Sequence, residues 1–224
     1  MATVHAPTKR NAARHSRRLP NGNELTWEIA RLFPAQGQWT ENDYLSLEDH
    51  YGTHIRVELS DRRLEVLPVP TQPHQLLILF LLDQLRAFTR KHAPGLVLFS
   101  GIRVKLHIGD EIAFREPDVV YMSAKHAARC HKEFWDGADL VMEVVSGDPK
   151  DRARDWKDKP IDYAAAGIPE YWIVDPDKKV IRVLTLKGKS YRRHGDFKPG
   201  DQATSVLLPG FAVAVDAVLA AGEA

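Results

Sequence analysis

The run DLVMEVVS, residues 139–146, is made of strand formers except for one carboxylate, Glu143, set among Val and Met. Burying an ionised carboxylate without a partner is costly, and it raises the pKa until the group neutralises. Glu143 therefore calls for a counter-charge: a metal ion, or a cation such as Lys157 or Lys159 just downstream. A second acid, Asp118, stands at the mouth of another short apolar strand in REPDVVYM, residues 115–122. Two carboxylates at the ends of neighbouring strands suit a hard divalent cation, which takes oxygen ligands and keeps waters for a substrate phosphate. Such an ion polarises a phosphoryl oxygen and lowers the pKa of bound water. A lysine beside it orients that water and offsets charge growing on the phosphate. Asp118, Glu143 and Lys159 supply those three parts. The same residues also fit a plain structural arrangement, Asp118 exposed at a strand end and Glu143 paired with an arginine, because structural ion pairs perturb carboxylates too.

Positioning these groups requires a strand, a helix and a strand. Leu140–Val145 and Tyr171–Val174 are the two apolar runs, and the charged segment between them is compatible with a helix, which predicts neighbouring strands in one sheet. Upstream, Leu25, Ile29, Leu32 and Phe33 follow a helical stripe that Pro34 ends. Thr40 and Asp43 form a capping box for a second short helix. Ile55–Leu59 and Leu64–Leu67 read as a hairpin around Ser60–Arg63. Gln75–Lys91 carries the apolar stripe of a largely buried helix. Strands are expected at Leu96–Phe99, Ile102–His107, Ile112–Phe114 and Asp118–Met122, and Ser123 is expected to cap a short helix through Cys130. Lys179–Leu186 and Ser190–Arg193 follow, then a last apolar segment, Val206–Leu219.

A chain of 224 residues with 44% apolar content is long enough for one well-buried core. The expected organisation is a disordered basic tail over residues 1–22 and a single domain over 23–224. The net charge is only +1, so any binding of nucleic acid must come from a local basic patch. Cys130 is the only cysteine, which excludes an internal disulfide and fits a reducing compartment. No apolar run approaches the ~18 residues that span a bilayer, and no secretory signal is present, so a cytoplasmic location is expected.

Other residue types carry competing readings. His74, opening the apolar helix beside Pro73, is suited to general-base work or to capping and packing. Glu58 is either a further acid of the metal site or a cross-strand partner of Arg56 or Arg63. Arg152, Arg154 and Lys157 form a basic cluster beside the acids, either a solvated helix face or a holder of a phosphate backbone. Ser146 lacks the GxSxG elbow of a serine hydrolase. His126, Cys130 and His131 lack the second pair that a zinc site needs. Tyr171 and Trp172, between apolar neighbours, read as core.

Pro117-Asp118, the strand LVMEVVS, and KPIDYAAAGIPEYW running into IVDP together resemble the Uma-type restriction-endonuclease family of the PD-(D/E)XK nuclease superfamily. The likeness covers roughly residues 40–215 and reaches upstream to Glu58 and His74; GIPEYWIVDP is its most specific part. It implies a restriction-endonuclease-like α/β fold, a mixed β-sheet flanked by helices. It makes Asp118 and Glu143 ligands of Mg²⁺ or Mn²⁺, with the main-chain carbonyl of Val144 a third. The superfamily lysine should stand two residues after the glutamate, where this chain has Val145; the resemblance moves that role to Lys159. Pro160 follows directly and disfavours the α conformation at residue 159. The implied activity is metal-dependent hydrolysis of a nucleic-acid phosphodiester, in double-stranded DNA. A homodimer is the matching assembly, because cutting both strands calls for two active sites. The alternatives are a nucleic-acid-binding module that kept the fold without turnover, and a protein-interaction module whose acids are structural.

Overall fold

The computed structural model describes residues 34–47 and 56–223. The basic tail and the helix expected before Pro34 lie outside the described residues. The chain divides into two units, residues 1–34 and 35–224, and all the described helices and strands belong to the second.

Local chemistry sets the first elements. Thr40 caps α1 (Glu41–Leu45) through the expected box: its hydroxyl accepts from the Asp43 N–H, and Asp43 Oδ2 accepts from the Thr40 N–H at 3.0 Å. Strands β1 (Val57–Ser60) and β2 (Arg63–Val66) join through Asp61 and Arg62, both at positive φ (48° and 57°), the backbone a tight hairpin demands. Helix α2 (Gln72–His92) begins three residues earlier than its apolar pattern suggests. Thr71 caps it, and Pro73 sits in the first turn, where a missing N–H costs no hydrogen bond.

Strands β3 (Gly95–Phe99), β4 (Arg103–Ile108), β5 (Glu111–Arg115) and β6 (Val119–Ser123) follow closely the runs read from the sequence. The segment after β6 is a 3₁₀ helix, Ala124–Arg129, and the Ser123 hydroxyl makes no capping bond. A three-residue strand, β7 (Phe134–Asp136), has no signal in the apolar pattern. Then come β8 (Leu140–Val144), a helical run consisting of α3 (Pro149–Ala153), a π turn over Arg154–Asp158 and α4 (Lys159–Ala165), and β9 (Glu170–Asp175). Strands β10 (Val180–Lys187), β11 (Ser190–Phe197), β12 (Gln202–Thr204) and β13 (Ala212–Ala214) precede α5 (Val215–Ala221). A register shift at Val183/Leu184 lets β11 continue to Phe197, beyond its expected end at Arg193.

The architecture is mixed α/β. The expected single sheet is divided into a six-stranded sheet, β11-β10-β9-β8-β6-β3, and a five-stranded one, β2-β1-β5-β4-β7, with β12-β13 as a small third. β8 and β9 pair in parallel, as the strand–helix–strand reading requires. Alternation along β8 sends Leu140, Met142 and Val144 into a core with Leu77, Leu81 and Leu85 of α2. Val141 and Val145 enter a second core with Tyr163 of α4 and Val104 and Leu106 of β4. Glu143 shares that second face, so the helical run between β8 and β9 covers it.

The GIPEYW sequence has a structural cause at each end. Gly167 ends α4 at φ +80°, where Ile168 N–H returns to Tyr163 O at 3.0 Å. Glu170, buried, accepts from Trp172 Nε1, from the Ser205 hydroxyl and from the N–H groups of Val206 and Leu207, fastening the C-terminal segment to β9.

Candidate active site

Asp118 stands one residue before β6, and the pairing of Val119 with Met142 sets it level with Glu143 on β8. Val144 N–H donates to Asp118 Oδ2 at 2.8 Å, which ties the two strand ends together. From the other layer, His74 in the first turn of α2 brings Nε2 to 2.9 Å from Val144 O and 3.4 Å from Asp118 Oδ2. Burial would lower the His74 pKa, but the hydrogen bond and charge of Asp118 raise it above the usual histidine value. Its Nδ1 is buried without a hydrogen-bond partner among the described residues.

Lys159 is buried, and its Nζ lies 2.9 Å from Glu143 Oε1, 3.0 Å from Asp155 Oδ1 and 4.0 Å from Glu58 Oε1. The restraint expected from Pro160 does not displace it: Lys159 is helical at φ −57°, ψ −40°. The π turn is the reason. Lys159 N–H donates to Arg154 O, five residues back. The wider turn also gives room to a proline ring that would otherwise meet the carbonyl four residues before it.

Tyr163, one turn further along α4, donates its hydroxyl to Glu143 Oε1 at 2.7 Å. Both Tyr163 and Lys159 therefore engage Oε1, leaving Oε2 without a side-chain donor among the described residues. Burial pushes the Glu143 pKa up to about 8; Lys159 opposes that shift, and the negative charges of Asp118 and Asp155 reinforce it. Burial would lower Lys159, but Asp155, Glu143 and Glu58 hold it far above the ordinary lysine value.

Glu58 supports the site from behind. Its Oε2 accepts from Arg115 Nη1 at 2.9 Å and its Oε1 from the Glu116 N–H at 2.9 Å. Burial would raise its pKa, but the cations of Lys159 and Arg115 bring it down to about 2. Its strand partner is thus Arg115, while Arg56 turns to Glu116 at 3.2 Å. Arg115 also holds Glu65, Asp162 and the Ser60 hydroxyl, which joins β1, β2, β5 and α4 around one buried guanidinium.

The three basic residues of the helical run face different ways. Arg154 is buried against the site, with Nη2 3.0 Å from Asp151 and its Nε without a hydrogen-bond partner among the described residues. Arg152 turns to Asp175 and Asp177, each at 2.7 Å. Lys157 is exposed.

Asp118, Glu143, Val144, His74, Arg154 and Lys159 line one cavity of about 340 Å³. Asp118, the free side of Glu143 and the Val144 carbonyl are hard oxygen donors of the kind Mg²⁺ or Mn²⁺ takes. Among the described residues no three His, Cys, Asp or Glu gather as a metal-holding group, so water and substrate oxygens would complete such a shell. Asp155 and Tyr163 have no role assigned from the sequence, yet each is four residues from Lys159, a spacing that shares a helix face. Arg115 gives no comparable signal, because its partners are distant in sequence.

The family model described as "Putative restriction endonuclease" matches residues 41–216. Among solved structures, a putative nuclease belonging to DUF820 from Anabaena variabilis is similar in fold. Its TM-score is 0.65 at 13% identity, over 82% of this chain and 98% of that one. No curated protein matches the sequence.

Proposed function

The chain belongs to the Uma2 family of putative restriction endonucleases, and on that premise we propose that it is a divalent-metal-dependent endonuclease hydrolysing phosphodiester bonds of duplex DNA. Family and fold together support a nuclease-type function. The observation that carries the finer reading is Lys159. It comes from a helix, where the superfamily pattern would take its lysine from the strand, and still brings Nζ to 2.9 Å from the central carboxylate.

In this proposal Asp118, Glu143 and the Val144 carbonyl hold Mg²⁺ or Mn²⁺. A bound ion of that kind supplies Lewis-acid polarisation of a phosphoryl oxygen and a lowered pKa for the attacking water. The chain's own groups do the rest. Tyr163 and Lys159 fix Oε1 of Glu143 and thereby aim Oε2 at the cavity. Val144 N–H fixes Asp118. Lys159 keeps its proton and donates to charge developing on the phosphate, a stabilisation that grows toward the transition state. His74 Nε2 carries the hydrogen that faces Val144 O and Asp118, so it is placed to give a proton at the cavity wall, and Arg154 meets the phosphate. Glu58, itself fixed by Arg115, is a positioning residue for Lys159.

No helix among the described residues is long and apolar enough to cross a membrane. A cytoplasmic location and a homodimer with one site for each strand complete the proposal. The test is cleavage of supercoiled plasmid with Mg²⁺ or Mn²⁺ and in EDTA, with gel-shift binding alongside. Binding without cleavage under every metal would favour a module that kept the fold without turnover.

A further inference from the structure

Residues 178–198 read KKVIRVLTLKGKSYRRHGDFK, in which Asp196 is the only acid, although the whole chain carries a net charge of only +1. The excess is organised as an object. β10 and β11 form an antiparallel ribbon, with β11 as the outer strand of the six-stranded sheet. Asp196 is consumed within the ribbon by Arg182 and Arg193, at 2.6 and 3.0 Å. Lys178 lies over the Trp156 ring at 4.2 Å. That leaves Lys179, Lys187, Lys189, Arg192 and Lys198, all exposed and none in an ion pair among the described residues.

The ribbon is connected to the site. β8 and β9 are parallel, so the turn after Asp175 and the start of β10 lie at the sheet end that carries Val144. A cleft of about 510 Å³, whose lining includes Asp177, Asp216 and Glu223, runs from His74, Val144 and Ser146 to Lys179 and Pro199 at the ribbon's root. It shares His74, Val144 and Ser146 with the cavity of the acids. Eight residues of strand extend ~26 Å, the length of about eight base pairs of duplex. No large hydrophobic side chain is exposed between residues 178 and 198. A protein partner would want an apolar centre there, whereas a phosphate backbone asks only for spaced cations.

We infer that the β10–β11 ribbon is the surface that tracks the backbone of duplex nucleic acid beside the acids. This rests on the nuclease reading. Edge lysines also deter strand pairing between molecules, but Lys179, Lys187, Lys189 and Lys198 stand at or beyond the strand ends and contribute little to that.

The experiment uses the full chain with Lys187, Lys189 and Arg192 all changed to Gln. Binding of a 30-base-pair (about three-turn) duplex in EDTA is titrated with salt, and hydrolysis of bis(p-nitrophenyl) phosphate with Mn²⁺ is measured on the same samples. That small diester cannot reach the ribbon. The expected result is a salt slope shallower by up to about three and affinity at least tenfold lower near 0.1 M salt, with unchanged hydrolysis of the small diester. Equal slope and affinity for variant and wild type, with the small diester still cleaved, would overturn the ribbon and leave the nuclease reading standing. A wild type that neither binds duplex nor cleaves the small diester would overturn both.

Discussion

Lys159 Nζ stands 2.9 Å from Glu143 Oε1 and 3.0 Å from Asp155 Oδ1, so one buried ammonium serves two acids of the site. Lys159→Met keeps the volume and removes the charge. Cleavage should fall by ~10²-fold or more, while calorimetry should still detect Mn²⁺ binding at the acids. Full cleavage by this variant under saturating Mg²⁺ would show that another group, such as Arg154, fills the role.

Burial pushes the Glu143 pKa up to about 8 against an ordinary 4.5. Across that window the native state holds a proton that the unfolded chain has released, so stability falls as pH rises. One such group contributes no more than about 1.4 kcal/mol per pH unit. Glu143→Gln removes this slope. The melting temperature of the variant in EDTA should therefore gain on wild type steadily from pH 5 to pH 8. A constant difference between the two would mean that Glu143 is ionised throughout.

Pro160 and the π turn before it act as one device. With Pro160→Ala, an N–H returns at residue 160 and the turn is free to tighten into regular α-helix, which rotates Lys159 relative to Glu143. Stability should change by about 1 kcal/mol or less, while the cleavage rate drops and duplex affinity holds. An unchanged rate would show that the π turn does not set the lysine.

Arg115 is the buried cation against which Glu58, Glu65 and Asp162 rest. Arg115→Met should cost about 3–5 kcal/mol, the usual loss when a buried charge is left unpaired. Urea titration measures it, and a loss under about 1 kcal/mol would mean that those carboxylates find other partners.

Apolar runs mark most of the long strands in the sequence, and the Thr40–Asp43 box carries its own local chemistry. Asp118 and Glu143 stand out because a carboxylate in an apolar strand needs a reason. Features that escape the sequence depend on distance or brevity. β7 is too short to show a period. The division into two sheets depends on which faces meet. Arg115 and Glu58 are fifty-seven residues apart, and nothing local announces their pairing. Arg152, Arg154 and Lys157 look like a cluster in the chain, yet the helical run turns them apart. The basic ribbon leaves no mark in the apolar pattern because its cations are interleaved with ordinary strand residues.

Metal-dependent cleavage at the paired acids is decided by supercoiled-plasmid assays with purified wild type and Glu143→Gln, each with Mg²⁺, Mn²⁺ and EDTA. Wild type should give nicked and linear products with either metal and none in EDTA, and Glu143→Gln should give no products while its duplex binding persists. Equal cleavage by both proteins, or metal-independent cleavage by wild type, would contradict a metal-dependent nuclease built on Glu143.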